Sequence, residues 1–495
     1  MLSSDNNPAS CVDADPGRLA SVPLCVDLDG TLIHGDLLWE CFVLLLKKNP
    51  FLLLLAPFWL VIGGRAKVKR ELARRVSLEP RNIAYNRELL DFLEAEHRRG
   101  RTLVLVTASD QELAESVAAY TGLFQRVHGS SEGKNLKGRA KAEFLRATFG
   151  DHAFEYAGDS AADMHVWKIS SGAYVVGSEA TAERVASVAE VRRWFPRRRG
   201  NLFCWSRAIR VHQWSKNLLL LVPILLAHRL SWHALLLTLL GTALFGLCAS
   251  GVYVLNDLLD LHSDRAHPWK NTRPFASGEL SIASGVVTCL LLFCAALGLG
   301  AVLLNGAFAW TLTFYAVIAT WYSLRLKRVA ILDVFVLSSF YTIRIWAGAL
   351  ITGTPLSQWF LGFSLFFFLS LAMAKRYSEL VHAAELVESG NSGRSYRAGD
   401  RLLLMNIGMA SCFSAIVILS LYVHSTEVEV LYRRPGMLIL LCPLILYWTC
   451  RIWLRAQRGE LDEDPVTLAM RDPVSYAVAA AGMAILVLSS HRVSF

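Results

Sequence analysis

The sequence predicts a two-part fold. An α/β front, a Rossmann-like parallel sheet with a helical cap, precedes an all-α transmembrane bundle of about nine helices. Three observations carry this. The chain has 495 residues, 54% of them hydrophobic and 18% charged, against about 25% charged in an ordinary soluble domain. The apolar excess is uneven: residues 64–200 are rich in Arg, Glu and Asp, and residues 201–495 in Leu, Ala, Val and Phe. Short apolar runs that end in polar turn residues alternate with helical patterns in the front half only.

The front elements come first. "PLCVDLDG" and "TLVLVTAS" read as strands, "EFLRATFG" as a helix, and "FEYAGDS" as a strand entering a loop. Such alternation favours a parallel sheet covered by helices. Ligands of open parallel sheets bind at the carboxyl ends of the strands, which is where the acids and hydroxyls fall. Between the first two strands lie "LLWECFVLLL" and "FLLLLAPFWLVIGG", separated by "KKNP". Each is short of the roughly 20 residues that span lipid. The pair reads as a helical hairpin packed as a cap, or as a cap that also rests on the bilayer.

The expected boundaries are a flexible terminus at 1–20, the α/β domain at 21–185 with its cap at about 34–100, a basic juxtamembrane linker at 186–204, and the helical domain at 205–492. Apolar segments lie near 215–229, 233–255, 282–304, 307–323, 331–353, 358–373, 402–423, 436–454 and 474–490. The loops near 256–280, 324–330, 375–401 and 451–473 hold most of the Lys and Arg, and the opposite loops hold only Arg229, Arg433 and Arg434. Positive loops face the cytoplasm. The expectation is a multi-pass protein of a bacterial-type plasma membrane, with the front domain and the acidic stretch after residue 256 inside. The N-terminus lacks the basic and apolar regions of a signal peptide.

Composition also excludes. The net charge is +9, and "RRWFPRRRG" before the apolar half suits anionic headgroups. A nucleic-acid partner is not expected, because the cluster lacks aromatic platforms and a binding fold. The ten cysteines include no Cys-x-x-Cys pair, which argues against a disulfide framework or zinc site.

Two acidic constellations carry the chemistry. In the front, Asp27 and Asp29 flank a leucine at a strand end, and Thr107, Lys137, Asp159 and Asp163 follow in order. A carboxylate can attack phosphorus, and a second acid two residues on can protonate the leaving alkoxide. A hydroxyl and a cation bind phosphate, and Asp27 with "GDSAAD" offers oxygen ligands to Mg²⁺. In the back, Asn256, Asp257, Asp260 and Asp264 lie on about two helical turns. Spacings of three and four put Asp257, Asp260 and Asp264 on one face, suited to Mg²⁺ shared with a diphosphate. Arg265, Lys270 and Arg273 follow for phosphate oxygens.

"DLDGT", "VTAS", the lysine of "NLKGRAKAEFL" and "GDSAAD" resemble the haloacid dehalogenase superfamily of phosphohydrolases over roughly residues 21–180. The resemblance implies Asp27 as nucleophile, Asp29 as general acid/base, Thr107 and Lys137 on the phosphoryl group, Asp159 on Mg²⁺ and Asp163 supporting that loop. Lys134 competes for the lysine role. A degenerate, regulatory domain is the alternative to an active phosphatase.

"RVHQWSKNLLLLVP", "NDLLDLHSDRAHPWKNTRP", "YSLRLKRVAILDVF" and "AKRYSEL" resemble the UbiA superfamily of intramembrane transferases over roughly residues 205–490. Prenyl transferases of that fold use two acidic motifs, the second with aspartates four apart; here Asp333 is present but position 337 is Leu. The "QWSKN" opening, "ILDVF", "SSFYTIRIWAG" and "KRYSEL…SYR" are more similar to the decaprenyl-phosphate phosphoribosyltransferase branch. That branch implies 5-phosphoribosyl 1-diphosphate as donor and polyprenyl phosphate as acceptor. It implies Mg²⁺ on Asp257, Asp260 and Asp264, and substrate contacts from Lys216, Asn256, Lys270, Arg273, Tyr322, Lys327, Asp333, Arg344, Lys375 and Arg376. For Arg344, in an apolar segment, a structural pairing is the alternative. The fused phosphatase is expected to remove the 5-phosphate of the lipid product. A prenyltransferase with an unrelated phosphatase is the alternative.

Overall fold

The computed structural model describes residues 22–131, 135–197, 200–385, 396–461, 465–469 and 471–490. The expected flexible terminus and Lys134 lie outside the described residues. The chain divides into two compact units, Met1–Ala208 with Asp257–Gly285, and Ile209–Asn256 with Val286–Phe495.

The first unit is built on six parallel strands in the order β3-β2-β1-β4-β5-β6. They are β1 (Leu24–Val26), β2 (Leu103–Asp110), β3 (Arg126–Ser130), β4 (Glu155–Gly158), β5 (Gly172–Gly177) and β6 (Val191–Pro196). β1 lies in the middle with all three residues buried, pairing Leu24 with Leu103 on one side and Glu155 on the other. A strand covered on both faces reads as a continuous apolar run, as "LCV" does. This register brings the carboxyl ends of β1, β2 and β4 together, and Asp27, Thr107 and Asp159 with them.

Helix α1 (Leu37–Lys48) starts the cap. Asp36 caps it by accepting from the Leu38 amide at 2.8 Å, and Lys47 and Lys48 close its last turn, where cations suit the helix dipole. A 3₁₀ turn leads to α2 (Ala56–Arg75), interrupted by non-helical Gly63 and Gly64. Cys41, Leu45, Trp59 and Leu72 form a small core between them. Phe51, Phe58 and Val61 stay 77%, 61% and 86% exposed. Helix α3 (Arg87–Arg98), which was expected within the cap, packs Leu89 and Leu93 into the main core with Leu24, Leu103 and Val176. α4 (Gln111–Thr121) and α5 (Arg139–Phe149) follow β2 and β3.

The expected linker at 186–204 is corrected in part. Val191–Pro196 forms the edge strand β6. Arg192 pairs with Glu155 and Glu190, and Arg193 lies over Phe92 and Phe195. These arginines finish the sheet edge.

The second unit is helical. Seven helices among the described residues are long and apolar enough to cross a membrane: Trp232–Leu259, Ile282–Leu303, Gly306–Leu324, Leu332–Thr352, Gln358–His382, Arg401–Val423 and Pro435–Gln457. The other two expected segments are shorter. Val211–Leu221 is a 3₁₀ stretch followed by the short helix Val222–Leu226, and Pro473–Ser489 has 17 residues. Two buried clusters fill the unit, one around Phe245, Phe308 and Phe340 and one around Tyr341, Phe368 and Trp453.

Candidate functional site

In the first unit, Asp27 follows β1 and Asp159 follows β4, and Asp163 ends the short turn after β4. Their carboxylates lie within 4.8 Å of one another, the one such group of three found among the described residues. Three oxygen donors at this spacing fit a hard divalent cation. Gly30 makes the cluster possible. Its φ is +79°, and a Cβ there would stand 2.1 Å from Asp159 Oδ2.

A lysine completes the cluster, and it is Lys141 rather than Lys137. Lys141 Nζ donates to Asp27 Oδ1 at 2.8 Å and to the Tyr156 hydroxyl at 2.8 Å, and lies 3.6 Å from Asp163. Lys137 is exposed. The reason is helical geometry. Lys141 lies on the face of α5 that also buries Ala142 and Leu145, whereas Lys137 precedes the helix. Tyr156 donates to Asp163 Oδ1, and Asp163 accepts from the amide and hydroxyl of Ser160, fixing the loop that carries Asp159.

Asp29 sits beside the cluster. It accepts from the Ser109 hydroxyl and from the Leu37 amide at the start of α1. Buried Thr107 accepts from the Ser109 amide at 3.0 Å. Burial, chiefly, pushes the Asp29 carboxyl up to about 7, with Asp36 adding to it and the Ser109 bond opposing. Burial likewise raises Asp27 to about 6 against Lys141, and Asp159 to about 7 with Asp27 and Asp163 adding. Asp29 and Asp159 are thus pushed closer to neutrality than Asp27.

The acidic stripe is only partly one face. The helix ends at Leu259, and Asp260 (φ −95°, ψ 6°) begins a second short helix, Leu261–Ala266. Asp257 and Asp264 converge on Arg273 Nη1 at 3.1 and 2.7 Å. Asp260 turns to Lys47, 3.6 Å away. Burial pushes Asp264 up against the pull of Arg273. The two carboxylates on one guanidinium nitrogen are oxygen donors suited to Mg²⁺ with a diphosphate. Lys270 is exposed on the following turn. Arg265, which the sequence offered to phosphate, is committed to Glu40.

In the second unit, the expected residues form three groups. Buried Lys216 lies over the Tyr341 ring. Beside it Arg344 donates to Asn217 Oδ1 at 2.9 Å and to the Phe340 carbonyl, and stacks on Phe245 and Tyr315. Asn217 was missed in the sequence. It is 1% exposed and its Nδ2 has no partner among the described residues; its signal was its place in "QWSKN". Lys327 donates to Asn256 Oδ1 at 3.3 Å. Arg376 donates to Asp333 Oδ2 at 2.7 Å and to the Tyr322 hydroxyl at 2.9 Å, and the Tyr396 hydroxyl donates to Asp333 Oδ1. Asp333 is therefore held by protein donors, and the position four residues on is Leu337. Lys375 is half-buried next to Arg376.

Comparison with known proteins matches two families to the chain. The UbiA prenyltransferase family matches residues 218–466, and haloacid dehalogenase-like hydrolase matches residues 24–168. The chain is 39% identical over 465 residues to the uncharacterized protein y4nM of Sinorhizobium fredii, covering 93% of this chain and 89% of that one. It is 37% identical over 276 residues to the nodulation protein NoeC of Azorhizobium caulinodans, covering 54% of this chain and 87% of that one. Over 192 residues it is 38% identical to decaprenyl-phosphate phosphoribosyltransferase of Mycobacterium tuberculosis, covering 36% of this chain and 60% of that one.

Proposed function

The chain belongs to the UbiA prenyltransferase family and joins to it a haloacid dehalogenase-like domain, and from this we propose that it is a bifunctional membrane enzyme. The helical part transfers 5-phosphoribose from 5-phosphoribosyl 1-diphosphate to a polyprenyl phosphate. The front domain then removes the 5-phosphate of the lipid product.

The observation that carries the reading is the state of Asp333. It stands alone: the position four residues on is Leu337, so a second metal-holding motif of the prenyl-diphosphate kind lacks its paired carboxylate, and Asp333 itself is paired with Arg376 and Tyr396. The similarity to decaprenyl-phosphate phosphoribosyltransferase supports a ribosyl donor in its place.

Asp257, Asp260 and Asp264 would hold Mg²⁺ for transfer, and Asp27, Asp159 and Asp163 would hold it for hydrolysis. When bound, the ion neutralises phosphoryl oxygens and the departing diphosphate. In transfer, an oxygen of the acceptor phosphate attacks C1 of the ribose and the bond from C1 to the diphosphate breaks. The acceptor is already an anion and needs no strong base. Arg273, beside Asp257 and Asp264, supplies positive charge to the diphosphate. In hydrolysis, Asp27 attacks phosphorus, the bond to the ribose 5-oxygen breaks, and Asp29 gives that oxygen its proton. Asp29 then takes a proton from the water that releases phosphate from Asp27. Lys141 holds Asp27 and neutralises charge as it builds. The excess of Lys and Arg in the loops on one side supports a cytoplasmic front domain, where a nucleotide-like sugar diphosphate is available.

The test is mass spectrometry of lipid products after the full protein, in membranes with Mg²⁺, receives 5-phosphoribosyl 1-diphosphate and a polyprenyl phosphate. A polyprenyl phosphoribose and its dephosphorylated form are expected. Consumption of a prenyl diphosphate with the ribosyl donor untouched would overturn the reading.

A further inference from the structure

The acidic segment 257–285 belongs to the same compact unit as the front domain, and its contacts there are specific. Glu40, on the first turn of cap helix α1, is 0% exposed. Its two oxygens accept from both terminal nitrogens of Arg265, Nη2 to Oε1 at 2.8 Å and Nη1 to Oε2 at 3.2 Å. The fork is filled further by the Asn82 carbonyl on Nη1 at 2.9 Å and the Ala276 carbonyl on Nε at 3.2 Å. His262 Nε2 lies 3.4 Å from the same carboxylate. At the other end of α1, Lys47 lies 3.6 Å from Asp260. Gly278, with φ +81°, lies so close to His34 that a Cβ there would come within 2.6 Å of the His34 side chain.

None of these groups belongs to the Asp27, Asp159 and Asp163 cluster. A buried carboxylate and a buried guanidinium are costly to desolvate and persist where geometry and extra hydrogen bonds satisfy them. Here the bidentate fork also fixes direction. Arg265 follows Asp264 directly, and Ala276 lies beyond Arg273. The fork therefore holds both ends of the turn that sets Asp264 against Arg273. The same helix α1 donates its Leu37 amide to Asp29, one turn before Glu40.

We propose that cap helix α1 positions the acidic loop of the transfer site, with Glu40 and Arg265 as positioning residues for the transferase. The role is new to both halves: a side chain of the phosphatase cap sets the geometry in which Asp257 and Asp264 receive the metal and diphosphate. It rests on the proposed transfer site.

The experiment uses the full chain in membranes and two readouts, the Mg²⁺ dependence of transfer and the hydrolysis of a small soluble phosphate ester. Glu40→Gln keeps the volume and loses the charge. It is expected to raise the Mg²⁺ concentration for half-maximal transfer about tenfold, the low end for outer partners of metal ligands, and to leave ester hydrolysis within about twofold. Arg265→Gln is expected to match it, and the double variant to be no worse than either alone, because the two act as one unit. If Glu40→Gln does not accumulate, Glu40→Asp replaces it with the same readouts. An unchanged Mg²⁺ dependence overturns the proposal, and so does a parallel loss of both activities, which marks a merely structural pair. Asp257→Ala separates the two readings. If that variant still transfers, the assignment of the transfer site is wrong; if it is dead while Glu40→Gln is normal, the positioning role alone is wrong.

Discussion

Lys141 Nζ lies 2.8 Å from Asp27 Oδ1 and 3.6 Å from Asp163, with its side chain 3% exposed. A buried ammonium between two carboxylates balances the charge that clustered acids would otherwise carry alone. In the proposed hydrolysis the same ammonium would face the charge that builds on the phosphoryl oxygens.

Lys141→Met should therefore lower kcat/KM for a small phosphate ester by about 10²–10³, the usual loss for one preorganised donor of this kind. Lys137→Ala should stay within about twofold of the parent. Steady-state kinetics on both variants decides this, with circular dichroism to show that each is folded. The lysine assignment falls if Lys137→Ala carries the larger loss.

The protonation states give a pH profile. Hydrolysis needs Asp27 and Asp159 ionised and Asp29 protonated. Burial pushes Asp27 up to about 6 and both Asp29 and Asp159 up to about 7, so activity rises as Asp27 and Asp159 ionise and falls as Asp29 does. The maximum is expected near about 7. A cation held at Asp27 and Asp159 favours their ionised forms and moves the rising limb to lower pH, while the falling limb stays with Asp29. Asp29→Asn should abolish the falling limb. It should cost more on an alkyl phosphate than on an aryl phosphate, whose leaving group needs no proton. A falling limb that persists in Asp29→Asn would assign it to another group.

Much of this was legible in the sequence, for physical reasons that vary by residue. Asp27, Thr107 and Asp159 were legible because each ends a short apolar run, and parallel strand ends converge. Lys141 was not picked because proximity to "NLKG" favoured Lys137. The decisive signal was the helical face shared with Ala142 and Leu145, which makes Lys141 the inward residue. Strand β6 was hidden because Arg192 and Arg193 read as solvated charge, whereas at a sheet edge they pair with glutamates and stack on Phe92 and Phe195. The acidic stripe assumed an unbroken helix through Asp260. The backbone breaks there and turns Asp260 to Lys47. Contacts between residues hundreds of positions apart, such as Glu40 with Arg265, leave no local pattern.

The cap hairpin offers a surface test. Phe51, Phe58 and Val61 are 77%, 61% and 86% exposed, and Lys47 and Lys48 precede them. In a membrane-bound chain, such a tip suits the headgroup boundary. Full burial of each side chain is worth about 1.5–3 kcal/mol, so replacing all three with Ser should raise KM for a bilayer-borne phospholipid-like substrate by at least about tenfold. Hydrolysis of a soluble ester should not change. Equal KM values for the lipid substrate before and after replacement would show that the tip plays no part in reaching it.

The link between the two active sites is tested most directly at the nucleophile. Asp27→Asn should block dephosphorylation and spare transfer, because a neutral amide cannot attack phosphorus or form the aspartyl phosphate. The loss of one negative charge beside Lys141 and Asp163 should leave the front domain folded, since the amide keeps the volume and can still accept from Lys141. Supplied with the ribosyl donor, the polyprenyl phosphate and Mg²⁺, the variant should accumulate the 5-phosphorylated lipid. The parent should release inorganic phosphate and the dephosphorylated lipid. Tethering one site to the other raises the local concentration of the first product, so the parent should show little of the phosphorylated species at any time. Lipid mass spectrometry and a phosphate assay on the same samples read both outcomes. If Asp27→Asn and the parent give the same lipid products, the front domain works on another phosphate, and the two reactions are joined in the chain without being joined in sequence.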